Sequence, residues 1–121
     1  MGIRESGNYI FRYNKDSIAE KYIDKIIETQ EFCYEFICKY LDVKMNDKIH
    51  YYLCESPEQV GKIYGDNEPC NAFASKDNKI YAVYNEDIKC IGFHEDAHII
   101  SYNTLGYSKY SFFKRRISYV F

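Results

Sequence analysis

The 121-residue chain has no tryptophan, only two prolines and no apolar run that approaches the length of a membrane span. Its first residues also lack the apolar segment of an export signal. The five cysteines are odd in number and form no CxxC pair, so free thiols in a reducing compartment are expected. Together, these absences predict a single cytoplasmic domain spanning residues 1–121.

The chain also has little excess charge of either sign, because the formal net charge is only −2. The one basic run, Lys114-Arg115-Arg116, is too short to follow a phosphate backbone and is interpreted as a solvated helix face. The sequence therefore predicts neither a nucleic-acid partner nor a membrane partner.

Apolar spacing and capping residues predict a mixed order of helices and strands. The capping box Ser17-Ile-Ala-Glu20 begins a long amphipathic helix that ends near Leu41. Asn85 is predicted to cap the last well-marked helix, which ends near Gly106. The remaining predicted elements are strands at 10–13 and 48–54, a short helix from Pro57 to Gly65, a β-hairpin of 71–75 and 79–84, and a further helix starting within 110–121.

That last well-marked helix carries the residues His94-Glu95-Asp96-Ala97-His98, an HExxH pentapeptide that uses two of the three histidines. Side chains at i and i+4 lie on the same face of a helix, so His94 and His98 can hold one zinc ion. Glu95 lies between them, where its carboxylate can take a proton from a water molecule on the ion. The pattern predicts metal-assisted hydrolysis, most often of a peptide bond.

Zinc in such a site needs a third protein ligand, and none is obvious. Residues 99–121 contain no Asp, Glu, His or Cys. Upstream, Cys90 shares a predicted helix face with His94 but lies about 12 Å from His98. Asp96 is expected to point away from both imidazoles. A second chain or a water molecule remains as the source of the missing ligand.

The other upstream candidates have simpler interpretations. Glu86 and Asp87 suit the first turn of the helix capped by Asn85, where negative charge is favourable. His50 alternates with Tyr51 in a predicted strand and is interpreted as a structural residue.

The element order over about 49–102, together with the HEDAH motif, resembles the peptidase-MA-like gluzincins, the thermolysin-type zinc metallopeptidases. The resemblance implies an α+β fold with a zincin-like N-terminal lobe, in which a long helix and the active-site helix pack on a small mixed sheet with a β-hairpin. It implies Zn²⁺ as cofactor, His94 and His98 as metal ligands, and Glu95 as the catalytic base. It also implies a peptide or protein substrate, which strand 79–84 can align by pairing with it along an edge.

The same resemblance implies a ligand glutamate on the following helix, within a phrase that compares with Phe112 to Phe121. Arg115 stands at the glutamate position there, and an arginine does not ligate zinc. The chain is also short relative to that family, because it ends before a second lobe. An inactive relative that acts as a binding module therefore remains the alternative, and the aromatic tail is a candidate for self-association.

Overall fold

The computed structural model describes residues 2–64, 71–75 and 77–105. Over these residues a five-stranded sheet combines with helices, so the predicted mixture of helix and strand is confirmed. The elements in chain order are β1 (Gly2–Glu5), β2 (Tyr9–Tyr13), α1 (Ile18–Lys21), α2 (Ile23–Leu41), β3 (Ile49–Cys54), α3 (Pro57–Tyr64), β4 (Ala72–Ser75), β5 (Lys79–Val83) and α4 (His94–Leu105).

The sheet is mixed, with strand order β1-β2-β3-β5-β4. Its central strands are parallel, since β3 pairs in that sense with both β2 and β5. Each outer strand is antiparallel to its neighbour: β1 to β2, and β4 to β5. The helices α1 and α2 connect β2 to β3, and α3 lies on the path from β3 to the β4–β5 hairpin. Strand β1 was not predicted from the sequence.

The sheet has a hydrophobic core on each face, because successive side chains of a strand point to opposite faces of a sheet. Tyr51 and Leu53 belong to the larger core, which includes residues of α1, α2 and α4. Their neighbours Tyr52 and Cys54 pack on the other face, against Val60 of α3. The HExxH helix therefore lies on the same side of the sheet as the long helix, with α4 packed against α2 and β4.

The predicted long helix is confirmed, although the backbone divides it at Tyr22 into α1 and α2. The Ser17 side chain accepts a hydrogen bond from the Glu20 amide at 3.2 Å, and the Glu20 carboxylate accepts one from the Asp16 amide at 3.0 Å. This is close to the reciprocal pattern of a capping box. Helix α2 ends at Leu41 as predicted, because Asp42 adopts a left-handed conformation with φ of 53°.

The predicted beginning of the HExxH helix is wrong, since α4 starts at His94 rather than after Asn85. The Asn85 side chain instead closes a turn by accepting hydrogen bonds from the Asp87 and Ile88 amides at 2.8 and 2.7 Å. Asparagine offers a non-helical backbone this alternative by bonding amides two and three residues ahead. The chain then returns along β5, where the Cys90 amide donates to the Val83 carbonyl at 2.9 Å.

The β-hairpin is confirmed as β4 and β5, but the proposed peptide-binding edge is wrong. Strand β5 is paired on both sides, with β3 and with β4, so its backbone groups are already used. Among the described residues the strand at that edge of the sheet is β4. Sequence alone did not order the two strands of the hairpin relative to β3.

Several predictions concern residues outside the described ranges: the end of the short helix at Gly65, the end of the HExxH helix near Gly106, the comparison at Arg115, and the aromatic tail at 110–121. No helix found in 2–64, 71–75 and 77–105 is long and apolar enough to cross a membrane.

Candidate metal centre

Helix α4 divides the residues of its first turns between solvent and core. His94 is exposed, and His98 lies partly buried one turn further along. Asp96, between them in sequence, is completely buried. Because residues i and i+2 lie on nearly opposite sides of a helix, the two histidines and the aspartate have separate environments. The expected pairing of His94 with His98 and the inward direction of Asp96 both follow from this arrangement.

The two imidazoles approach each other through the same ring atom. Nε2 of His98 lies 3.2 Å from Nε2 of His94. Their ring planes are nearly perpendicular, at 86°, with ring centroids 4.6 Å apart. Two neutral imidazoles at this distance either share one N–H hydrogen or direct two lone pairs at a common cation.

Glu95 lies beside this pair, with one carboxylate oxygen 3.9 Å from Nε2 of His94 and with 17% of its side chain exposed. Glu95 and His94 both line a cavity of about 230 Å³, together with Tyr51, Ala72 and Cys90. The cavity therefore joins the proposed general base to the β4 end of the sheet.

At this cavity Tyr51 supplies a fixed polar group. Its hydroxyl donates a hydrogen bond to the Cys90 carbonyl at 3.1 Å. Burial is the main cause that raises the pKa of Tyr51 well above its ordinary value, and the nearby carboxyl groups of Asp96 and Glu95 act in the same direction. Tyr51 therefore keeps its hydroxyl hydrogen and lines the same cavity as Glu95.

Behind the histidines, a buried polar network links three elements of the fold. The Gln30 side chain of α2 donates to Oδ2 of Asp96 at 2.8 Å. The Tyr9 hydroxyl of β2 contacts the same carboxyl oxygen, and it also lies 3.2 Å from the Gln30 carbonyl. All three residues are fully buried. This network holds the first turn of α4 against both the long helix and the centre of the sheet.

The Asp96 carboxyl in this network favours its protonated form. Burial raises its pKa to about 8, even though hydrogen bonds from Tyr9 and Gln30 act in the opposite direction. The hydrogen count agrees, because the Tyr9 hydroxyl has one hydrogen for two acceptors. A protonated Asp96 supplies the second hydrogen. Asp96 is thus directed into the core, where its other oxygen, Oδ1, has no hydrogen-bond partner among the described residues.

The other sequence candidates lie outside helix α4, although Cys90 lines the same cavity as His94 and Glu95. Cys90 lies in the extended segment before α4, so the helix face it was predicted to share with His94 does not exist. Glu86 and Asp87 lie on an exposed turn rather than in a first helical turn, which corrects that prediction as well. His50 projects from β3, where its Nδ1 atom lies 2.8 Å from the Arg12 guanidinium.

Within the ranges 2–64, 71–75 and 77–105, no group of three or more His, Cys, Asp or Glu side chains is arranged to hold a metal ion. The donor set that these residues offer is therefore two imidazoles. Tetrahedral zinc with Zn–N bonds of about 2.0–2.1 Å places two nitrogen ligands about 3.3 Å apart. The observed separation of 3.2 Å fits that requirement.

No protein-family model matches this chain, and neither does any curated protein or solved structure. The function of the site must therefore be inferred from its own side chains.

Three residues of this region were not recognised from the sequence: Tyr9, Gln30 and Gly92. A signal for Gln30 was present, because the predicted apolar stripe of the long helix skips from Ile26 and Ile27 to Cys33. Gln30 occupies the missing position and is completely buried there. A polar residue within a buried stripe indicates a specific hydrogen-bond partner, since burying it unpaired is costly.

Proposed function

We propose that this chain is a zinc metallopeptidase-like domain of the zincin type, which cleaves a peptide bond with Glu95 as general base. The observation that carries the proposal is the 3.2 Å approach of the His94 and His98 Nε2 atoms, beside the Glu95 carboxylate. Two imidazoles in mutual contact, one of which (His94) lines the same cavity as Glu95, are a more specific arrangement than the motif alone.

Each residue of the proposed site has its own role. His94 and His98 bind zinc through neutral imidazoles, and the helix backbone fixes their spacing. The chemistry that zinc supplies when bound is Lewis acidity, which makes water more acidic and a carbonyl carbon more electrophilic. Glu95 accepts the proton of the attacking water at its carboxylate and then donates it to the departing amine. Tyr51 and Ala72, across the cavity, border the space in which a substrate group would lie.

The first test is a zinc titration measured by isothermal titration calorimetry. One-to-one binding to the wild type, with loss of binding in His98→Ala, is expected. Cleavage of a broad peptide library should then disappear in Glu95→Gln while zinc binding remains. Glu86→Gln is the matched control, because Glu86 is an exposed acid on the turn before the helix. Cleavage that survives Glu95→Gln would show that Glu95 is not the base.

The alternative is a catalytically inactive relative that uses the same surface as a binding module. It is favoured by the two-histidine donor set, because catalytic zinc is usually held by three protein ligands and an open site binds it less tightly. A second chain or a water molecule would complete the coordination in either case. Zinc binding without any cleavage dependent on Glu95 would decide for the binding module.

A further inference from the structure

The segment just before the HExxH helix is held by one side chain from a distant part of the sequence. Gln30 Oε1 accepts a hydrogen bond from the Gly92 amide at 2.6 Å, and Gln30 Nε2 donates to the Gly92 carbonyl at 3.2 Å. A single amide side chain thus satisfies both backbone groups of Gly92, two residues before His94. The same Nε2 reaches Oδ2 of Asp96 inside the helix at 2.8 Å.

The backbone at this point is one that few other residues adopt. Gly92 has φ of +126°, a value that L-amino acids disfavour because of their Cβ atom. A conformation of this kind persists when its surroundings specify it. Here the paired hydrogen bonds from Gln30 do so, because they are made only when the Gly92 peptide groups face α2.

We propose that Gln30 is a positioning residue for the histidine pair, acting through Gly92 and Asp96 without touching either imidazole. This inference rests on the proposed function of His94 and His98 as metal ligands. Helix α4 begins at His94, so the orientation of its first imidazole depends on how the chain enters the helix. Gln30 forms hydrogen bonds with the chain on both sides of His94, at Gly92 and at Asp96.

Its complete burial agrees with this role. Gln30 lies in the apolar stripe of α2, yet both ends of its amide are used. Side chains that orient metal ligands indirectly typically change metal affinity by about 10- to 100-fold when they are replaced. A residue that only filled the core would change stability and leave the metal geometry as it was.

The test uses the full chain with Gln30→Met, which keeps a similar volume and removes every hydrogen bond of the amide. Zn²⁺ affinity should fall by about 10- to 100-fold, and the visible absorption spectrum of the Co²⁺-loaded protein should change. Amide exchange over residues 92–98 should become faster in the metal-free protein. The matched control is Val60→Ala, a core replacement on the opposite face of the sheet, which should lower the melting temperature and leave all three readouts unchanged.

A second variant keeps the inference testable if Gln30→Met does not fold. Gly92→Ala leaves Gln30 in place, and apart from its two chain neighbours no described residue has an atom within 4 Å of the added Cβ, so the expected effect comes from the disfavoured φ. It should weaken Zn²⁺ binding in the same direction. Wild-type protein that binds no Zn²⁺ would overturn the proposed function and this inference together. Zn²⁺ affinity equal to wild type in the folded variants would overturn only the role of Gln30.

Discussion

The two faces of the sheet are built on different principles. On the face covered by α3, residues such as Cys54, Val60 and Val83 form a small apolar cluster. On the face covered by α2 and α4, the larger apolar core contains a fully buried polar group of Tyr9, Gln30 and Asp96. A buried polar group is costly unless it is fully paired, and it is directional when it is paired.

The location of that polar group is informative, because it lies directly behind the only two histidines of α4. Hydrophobic packing alone would hold α4 against α2 but would tolerate small rotations of the helix about its axis. The hydrogen bonds that Gln30 and Tyr9 make with one carboxyl oxygen of Asp96 do not tolerate them. The α3 face thus contributes stability, whereas the α2/α4 face also fixes an orientation.

The largest effect is expected at the two histidines proposed as metal ligands. His94→Ala and His98→Ala should each weaken Zn²⁺ binding by more than about 100-fold, because each removes one of two imidazole ligands. Isothermal titration calorimetry measures this directly. The matched control is His50→Gln, since His50 lies on β3 beside Arg12 rather than on α4. Equal Zn²⁺ affinity in all three variants would remove the site from α4.

The second prediction concerns the pH dependence of the metal-free protein. Burial raises the pKa of Asp96 to about 8 in the folded state, whereas an aspartate in an unfolded chain has a pKa of about 3.9. Between these values the folded protein keeps a proton that the unfolded chain has released. The contribution of Asp96 to the free energy of unfolding therefore falls as pH rises from about 4 to about 8, and it is constant above that.

The expected slope is roughly 1 kcal/mol for each pH unit, and Asp96→Asn should abolish it, because an amide does not titrate. Urea unfolding at several pH values in the presence of EDTA measures the slope in both proteins. The difference between them isolates Asp96 from the other carboxyl groups. A slope that is identical in the two proteins would mean that Asp96 is ionised in the fold, and the network would then need another source for its second hydrogen.

The same contrast explains which parts of the molecule the sequence predicts. The long helix was predicted correctly because its signals are local: a capping box at Ser17, apolar spacing, and an end at Leu41. The β-hairpin was also marked by local turn residues. Such features depend on residues a few positions apart, which periodicity and capping can detect.

The start of α4 was predicted incorrectly because two local interpretations compete for Asn85. It can cap a helix or close a turn, and its side chain bonds the same type of amide in both cases. The turn is favoured by two interactions of the segment that follows it. One is the pairing of this segment with β5, and the other is the hydrogen bond between Gln30 and Gly92, which are 62 positions apart in sequence. Of the site, the pentapeptide was predicted, but its support from β2 and α2 was not, because that support is non-local.

The third prediction addresses the apolar face alone. Val60→Ala should lower the free energy of unfolding by about 1–3 kcal/mol, because it removes buried methyl groups from a well-packed cluster. The slope of stability with pH should be the same as in the wild type. A change in the slope of the free energy of unfolding with pH would show that the two faces are coupled through the sheet and do not act independently.

The smallest expected effect lies on the α2/α4 face but away from the histidines. Ser17→Ala removes the side-chain cap of α1, whose hydroxyl accepts from the Glu20 amide at 3.2 Å, and it should cost about 1 kcal/mol of stability. Zn²⁺ affinity should not change, because α1 does not contact the segment 92–98 in any described hydrogen bond. Glu20→Gln is a milder control, since its amide oxygen can still accept from the Asp16 backbone. If Ser17→Ala weakened Zn²⁺ binding as strongly as Gln30→Met, general loosening of this face, rather than the specific grip of Gln30, would set the geometry of the histidine pair.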